Sequence, residues 1–386
     1  MICPACGQPM QVLGTVPLRD FDGALFNRDG LYRYCPACGM ARVETGVSDR
    51  EIAAHYADES LYVALSGVGV GGDTPEDRAR YGHYRAFMQV QGIDAGMLAD
   101  IGCSRGGFLR YLAEAAPGIA SVGVDCDARS LKSLSEAGLD ARIGDVFALP
   151  FAAGEADILS YFHVLEHLYG IDAALAEAAR VLKPGGALLI EVPDAARYFA
   201  SETHVGPMFW LAMKEHVNHF TPAALGAALA RNGFGIAAIN RSSQPMKGGK
   251  GYPSLLVLAR KGTGVSADLD KGEDFAAQFA ADTGAMRQAA AEIAASPVGP
   301  LCFWGVGLEF FALHGYLAPL LTGRDVRLLD RNPSKQGLTV DGRPVEDPSA
   351  VPAEGTLICC SYMAAPQIVE QAQALGWKRE AILCLP

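Results

Sequence analysis

The polar and apolar positions of the chain sort into distinct stretches. Across residues 96–260, short apolar runs alternate with amphipathic ones, the signature of strands joined by helices. Met97-Leu98-Ala99-Asp100-Ile101-Gly102 reads as a buried strand entering a turn, and an amphipathic helix starts at Phe108. Further strands are predicted over 121–124, 156–160 and 187–192, with a helix end and turn over 181–186. Residues 51–95 carry a helical pattern that glycines interrupt between Gly67 and Gly72. Within 261–298, Phe275, Phe279, Met286 and Ile293 recur at roughly helical spacing in an Ala-rich segment, so one connecting helix is predicted, closed by Gly299 and Pro300. A second strand–helix pattern fills 299–386, with a late strand over 356–360. Residues 1–50 are rich in turn formers and carry two cysteine pairs.

A chain of 386 residues is long enough for two or three domains. With 50% hydrophobic and 19% charged residues it has the profile of a soluble globular protein. The formal net charge is −11 and no stripe of Lys and Arg breaks it, which argues against a nucleic-acid partner. One or two basic residues would still suffice for the pyrophosphate of a nucleotide-sized ligand. Met1-Ile2-Cys3-Pro4 has neither the basic nor the apolar segment of a signal peptide, and no apolar run reaches the length of a bilayer span. A cytoplasmic protein with reduced thiols and no membrane partner is therefore expected.

Cys3-Pro4-Ala5-Cys6-Gly7 and Cys35-Pro36-Ala37-Cys38-Gly39 are nearly the same pentapeptide. Each puts two thiolates on one tight turn, and two such knuckles supply the four ligands of a closed structural zinc site. A pair of redox dithiols is the alternative, but it leaves the duplication unexplained. No histidine or carboxylate belongs to the pattern, so no catalysis is assigned to the zinc at Cys3, Cys6, Cys35 and Cys38.

The turn Gly102-Cys103-Ser104-Arg105-Gly106-Gly107 lies between a strand and a helix N-terminus, where a close backbone approach and a favourable dipole suit a ligand. Asp125 ends the next strand, about 20 residues on, where a carboxylate meets ribose hydroxyls. NAD and S-adenosylmethionine both fit that much. The spacing G-x-x-x-G-G, preceded by Asp100, favours S-adenosylmethionine. So do Gly144-Asp145-Val146, Tyr161-Phe162-His163-Val164-Leu165-Glu166-His167 and Val181-Leu182-Lys183-Pro184-Gly185-Gly186, in that order.

With these motifs the stretch from about Ala95 to Arg260 resembles the class I methyltransferases. The resemblance implies an α/β, Rossmann-like core with Asp100, Gly102, Ser104 and Gly106 around the methionine part of S-adenosylmethionine. It implies Asp125 at the ribose, Asp145 and Val146 flanking the adenine, and Phe162 and His163 along the floor. Separately, Glu215-His216 precedes an aromatic loop after the fifth strand of the core. A histidine titrating near neutrality beside a carboxylate suits proton removal next to a carbonyl, although His216 could equally brace the loop. His163 and His167 share one helical face and read equally well as structural residues.

The whole chain is similar to the C-methyltransferases of nucleotide-linked 4-keto-deoxysugars, which combine an N-terminal four-cysteine zinc module, the methyltransferase core and a C-terminal Rossmann-like α/β module. The likeness rests on the cysteine pairs, on His55-Tyr56, Tyr62 to Ser66 and His83-Tyr84, and on Leu329-Asp330-Arg331-Asn332-Pro333-Ser334-Lys335-Gln336-Gly337. It implies His216 as the base, paired with Glu215, and Tyr81 or Tyr84 near the sugar. The chain departs from the family at Met213, at Trp304-Gly305-Val306-Gly307 and at Tyr362-Met363, all on the expected acceptor side. An O- or N-methyltransferase of another small metabolite, and an RNA methyltransferase with a zinc knuckle, are the competing expectations. The acidic charge weighs against the latter.

Overall fold

The computed structural model describes residues 1–59, 71–246, 249–262, 268–272, 275–297 and 299–385. The predicted match at Tyr62 to Ser66 lies outside them. Strands β1 (Gln11–Pro17), β2 (Asp29–Tyr34) and β3 (Ala41–Glu44) form an antiparallel ladder beside the cysteine knuckles. Helix α1 (Asp49–Ala54) starts in a capping box between Ser48 and Glu51, and α2 (Pro75–Val90) in one between Thr74 and Asp77. Both starts follow from residues within one turn, where side-chain oxygens take up amides that the helix leaves unpaired.

The core is a seven-stranded sheet. Strands β4 (Gly96–Ile101), β5 (Ile119–Asp125), β6 (Asp140–Ile143), β7 (Ala156–Phe162) and β8 (Leu182–Pro193) run parallel. The two-residue strand β9 (Asn218–His219) leaves this sheet, and β10 (Phe234–Pro245) and β11 (Gly251–Lys261) complete it. Strand order is β10-β11-β8-β7-β4-β5-β6, with β11 antiparallel to both neighbours. Helices α3 (Gly107–Ala115), α4 (Ala128–Glu136), α5 (Ile171–Val181) and α6 (Pro222–Arg231) provide the connections. The near-continuous burial of β4, β7 and β8 is that of strands covered on both faces. One expectation needs correction. The turn over 181–186 does not precede the fifth strand but lies inside it: Leu182 pairs with Ala156, the register shifts, and Ala187 pairs with Ile158. The Pro-Gly-Gly segment acts as an irregularity that the ladder absorbs.

Helix α7 (Phe275–Ala294) buries Phe275, Phe279, Met286 and Ile293. They share one cluster with Val16 and Tyr32 of the N-terminal ladder and with Phe303 and Phe310 beyond. The connecting helix is thus a packed wall between modules. The C-terminal module is built on β12 (Leu301–Trp304), β13 (Val326–Leu329), β14 (Thr339–Val340), β15 (Arg343–Glu346), β16 (Thr356–Cys359) and β17 (Ile382–Cys384). Their order is β14-β15-β13-β12-β16-β17, parallel except for β14, with α8 (Leu308–Leu317) and α9 (Ala365–Ala374) packed on it. No helix among the described residues is long and apolar enough to cross a membrane.

Candidate active site

The order of the core sheet reverses between β4 and β7, and ligands of such sheets bind outside the strand ends at that reversal. Here β4 enters the glycine turn. Gly106 has φ 70° and is the residue from which α3 starts; a Cβ there would lie 1.9 Å from Leu134 Cδ2, so only glycine fits. Ser104 is itself left-handed at φ 48°. Its amide donates to Asp125 Oδ2 at 2.8 Å, while the Asp127 amide donates to Oδ1 at 2.9 Å. The Asp125 carboxylate is thus held in place by the backbone of its surroundings.

A cavity of about 510 Å³ opens over this turn. Gly102, Ser104, Asp125, Asp145, Val146, Phe162 and His163 line it, which brings together seven of the nine residues expected at the cofactor. Asp100 lies deeper, against an adjoining space of about 40 Å³. Burial pushes its carboxyl up to about 7, with the Ser160 hydroxyl, donating at 2.7 Å, pulling the other way. Gly106 contributes backbone shape and is not among the lining residues.

Tyr81 and Tyr84, expected near an acceptor sugar, face the small space and not the large cavity. Tyr84 stacks on Phe162 at 4.1 Å between ring centroids, and its hydroxyl donates to Glu191 on β8. Tyr81 donates to the Gly72 carbonyl. In their stead Arg80 of the same helix, Tyr56, Gln244, Met246 and Tyr252 reach the large cavity. The helix pattern alone did not show which face meets the cavity, and the last three sit on a hairpin whose fold-back the sequence did not reveal.

Glu191 is a fully buried carboxylate that the sequence reading overlooked. His163 Nε2 lies 3.1 Å from it, Ser254 and Tyr84 donate to it, and His163 Nδ1 lies 2.9 Å from Glu166 Oε1. Burial alone would push Glu191 up; the charge and hydrogen bonds of His163 outweigh it and hold the group down to about 2. Burial likewise disfavours charge on His163, yet the two carboxylates raise it to about 10. The residue at the floor is therefore an imidazolium clamped between two glutamates, with a strained φ of 56°.

Glu215 and His216, three and two residues before the start of β9, also line the cavity. Strand β9 pairs with β3, Ala41 against His219 and Arg42 against Asn218, and the Val43 amide donates to the Val217 carbonyl. The loop of the core is thus a strand of the N-terminal ladder. Asn218 donates to the carbonyls of Leu165 and Leu168, which ties this loop to the segment bearing Glu166 and His167. Glu215 does not orient His216 as its sequence position suggested. Its carboxylate turns to Tyr56, whose hydroxyl donates at 3.3 Å, and to His55 Nε2 at 3.7 Å. Burial opposes ionisation of Glu215, and the hydrogen bond from His55 together with nearby positive charge such as that of Lys214 holds it down to about 2. Burial pushes His216 well below the ordinary imidazole value.

The four N-terminal cysteines converge. Cys3 and Cys38 sulfurs are 3.7 Å apart, those of Cys6 and Cys35 3.4 Å, and all four lie within 4.8 Å of one another. A tetrahedron with bonds of about 2.3 Å has sulfur–sulfur edges of about 3.8 Å, so the set fits a four-thiolate metal centre. Gly7 and Gly39 close the two knuckles at φ 75° and 77°, their amides donating to the Cys3 and Cys35 carbonyls. The second knuckle is fastened to the core, since Thr221 at the start of α6 donates to the Cys38 carbonyl at 2.6 Å.

Residues 99–190 match the family described as methyltransferase domain. The chain carries a class I S-adenosylmethionine-dependent methyltransferase domain. Among curated proteins it is similar to the malonyl-acyl-carrier-protein O-methyltransferase of Methylococcus capsulatus, 27% identical over 172 residues that cover 42% of this chain and 59% of that one. It is also similar to the ubiquinone/menaquinone biosynthesis C-methyltransferase UbiE of Dinoroseobacter shibae, 45% identical over 56 residues, 14% of this chain and 22% of that one. The matched stretches span less than two thirds of each of these relatives. Among solved structures, an S-adenosylmethionine-dependent methyltransferase from Mesorhizobium loti aligns with a TM-score of 0.38 and 20% identity, covering 47% of this chain and 98% of that one.

Proposed function

We propose that the protein transfers the methyl group of S-adenosylmethionine to a small acceptor, and that the acceptor is a nucleotide-linked 4-keto-deoxysugar methylated on carbon. The observation that supports this reading is one cavity lined both by Asp125 and the glycine turn and by Glu166, His167 and His216. Asp125 presents an oriented carboxylate of the kind that takes two ribose hydroxyls, and Asp145 and Val146 border the place for a flat base. The cavity suits a polar acceptor of sugar size beside the cofactor, because its lining also includes imidazoles, carboxylates, Gln244 and Tyr252.

For methyl transfer the bound cofactor supplies an electrophilic sulfonium carbon, and the protein aligns a nucleophile with it. With a keto-sugar, His216 as general base first takes the proton from the carbon beside the ketone. The resulting enolate carbon then forms the new bond to the methyl group while the carbon–sulfur bond breaks. We assign His216 to the wall that meets the acceptor, with Glu215 bracing that wall through Tyr56 and His55. The four cysteines, in this reading, hold a structural zinc ion that fixes the ladder to which β9 belongs.

The placement of Tyr81 and Tyr84 away from the large cavity favours a second reading, O-methylation of a different hydroxylated metabolite. Curated relatives of both kinds, O- and C-methyltransferases, match the core. The test is a mass-spectrometric transfer assay in deuterated water, with S-adenosylmethionine and a panel of nucleotide-linked 4-keto-6-deoxysugars. Carbon methylation gives a product one methyl heavier and deuterium exchange beside the ketone, both diminished in His216→Ala. No transfer to any keto-sugar by protein that binds the cofactor would overturn the keto-sugar acceptor.

A further inference from the structure

Glu166, His167 and His216 line the cavity together, each offering a ligand atom within 4.8 Å of the others. Their hydrogen bonds leave an unusual remainder. Glu166 is wholly buried; His163 occupies its Oε1, and Oε2 has no partner among the described residues. His167 Nδ1 lies 2.9 Å from the Glu215 carbonyl, which can only accept, and 3.1 Å from the Tyr56 hydroxyl, so Nδ1 is the donor nitrogen and Nε2 is the atom the neutral ring leaves for a ligand. The Nδ1 atom of His216 is buried without a partner among the described residues, and its ring meets that of His167 edge to face at 4.9 Å. A buried carboxylate oxygen with nothing to accept from is costly, the more so when the group is charged. Ligating histidines commonly have the far ring nitrogen tied to a carbonyl, and ligating carboxylates have the second oxygen hydrogen-bonded. Both arrangements are present here before any ligand is considered.

We propose that Glu166, His167 and His216 bind a divalent transition-metal ion whose remaining positions face the cavity. Two imidazoles and one carboxylate suit Mn²⁺, Fe²⁺, Co²⁺, Ni²⁺ or Zn²⁺ better than Mg²⁺ or Ca²⁺, which prefer all-oxygen sets. This centre is separate from the cysteine cluster and, with three protein ligands, keeps open positions where that cluster keeps none. An open position over the cavity accepts a carbonyl or hydroxyl oxygen of an acceptor, and a cation there acidifies the adjoining proton. That use rests on the methyltransferase reading; the binding of the cation does not.

The test leaves the cysteine-bound metal in place and titrates full-length protein, free of acceptor, with each of the five cations by calorimetry. One equivalent of at least one cation should bind, and Glu166→Gln should weaken it by about 100-fold or more. S-adenosylmethionine binding by each variant, measured without added metal, reports on folding and on the cofactor reading separately. Should Glu166→Gln fail that check, NMR of the wild type with Mn²⁺ decides: the imidazole signals of His167 and His216 should broaden while those of His83 and His314 stay sharp. Absence of a stoichiometric site for all five cations, undiminished binding in a folded Glu166→Gln, or Mn²⁺ broadening that spares His167 and His216 would overturn the proposal.

Discussion

Asp100 gives the sharpest test of the electrostatics under the cofactor turn. Its one side-chain hydrogen-bond partner among the described residues is the Ser160 hydroxyl, and it is buried. Burial lifts its carboxyl from the ordinary 3.8 to about 7. A carboxyl raised in the folded state is protonated there while the unfolded chain has already lost its proton. Its contribution to stability is therefore fully present below about pH 4 and is lost as pH rises toward 7. At 1.36 kcal/mol per pH unit the full loss is about 4 kcal/mol, of which about 2.5–3 kcal/mol falls between pH 5 and pH 8. Asp100→Asn mimics the protonated carboxyl in shape and keeps an oxygen for Ser160, but it cannot ionise. The variant should gain on the wild type by that amount from pH 5 to pH 8, roughly 5–10 °C in thermal midpoint for a core of this size. Comparing the two proteins at each pH cancels the titrating groups that do not couple to Asp100, leaving Asp100 and its interaction with Asp125. The assay is thermal unfolding at half-unit pH steps without cofactor. Parallel curves would refute the reasoning, because they would mean that Asp100 titrates alike in the folded and unfolded chain.

Further outcomes follow from other parts of the molecule. Asp125→Asn should weaken S-adenosylmethionine binding by about 10–100-fold, the loss of charge-assisted bonds of about 1.5–3 kcal/mol to the ribose; calorimetry showing an unchanged Kd would remove the ribose assignment. Cys35→Ser, or a strong chelator, should release one zinc per chain and lower the thermal midpoint by about 10 °C, with protection of the Asn218 and His219 amides from hydrogen exchange lost first. Protein purified without chelator and found free of metal would contradict the zinc reading. Gly39→Ala places a Cβ 1.8 Å from the Lys271 carbonyl oxygen at φ 77° and should destabilise by about 2–4 kcal/mol in denaturant unfolding; a neutral effect would show that the knuckle does not dock as described.

What the sequence determined by itself is what acts over a few residues. Alternating apolar runs place the strands of the core, the Ser48 and Thr74 boxes start their helices, Gly106 marks a backbone that admits no Cβ, and Cys-x-x-Cys sets two thiolates on one turn. Asp125 was readable because its place follows from counting along one strand–helix–strand unit. Tertiary structure decided the partners, which lie far apart in sequence. Tyr84 meets Glu191 across 107 residues, and Asn218 meets Leu165 across 53. Adjacency misled at Glu215, which precedes His216 in sequence but points at Tyr56, 159 residues away, because consecutive side chains leave the backbone in different directions. Nor could a pattern of polar and apolar positions show that the loop of Glu215 and His216 completes the cysteine module's ladder. Two residues of strand carry no periodicity, and only the docking of β9 on β3 supplies the hydrogen bonds that make them one.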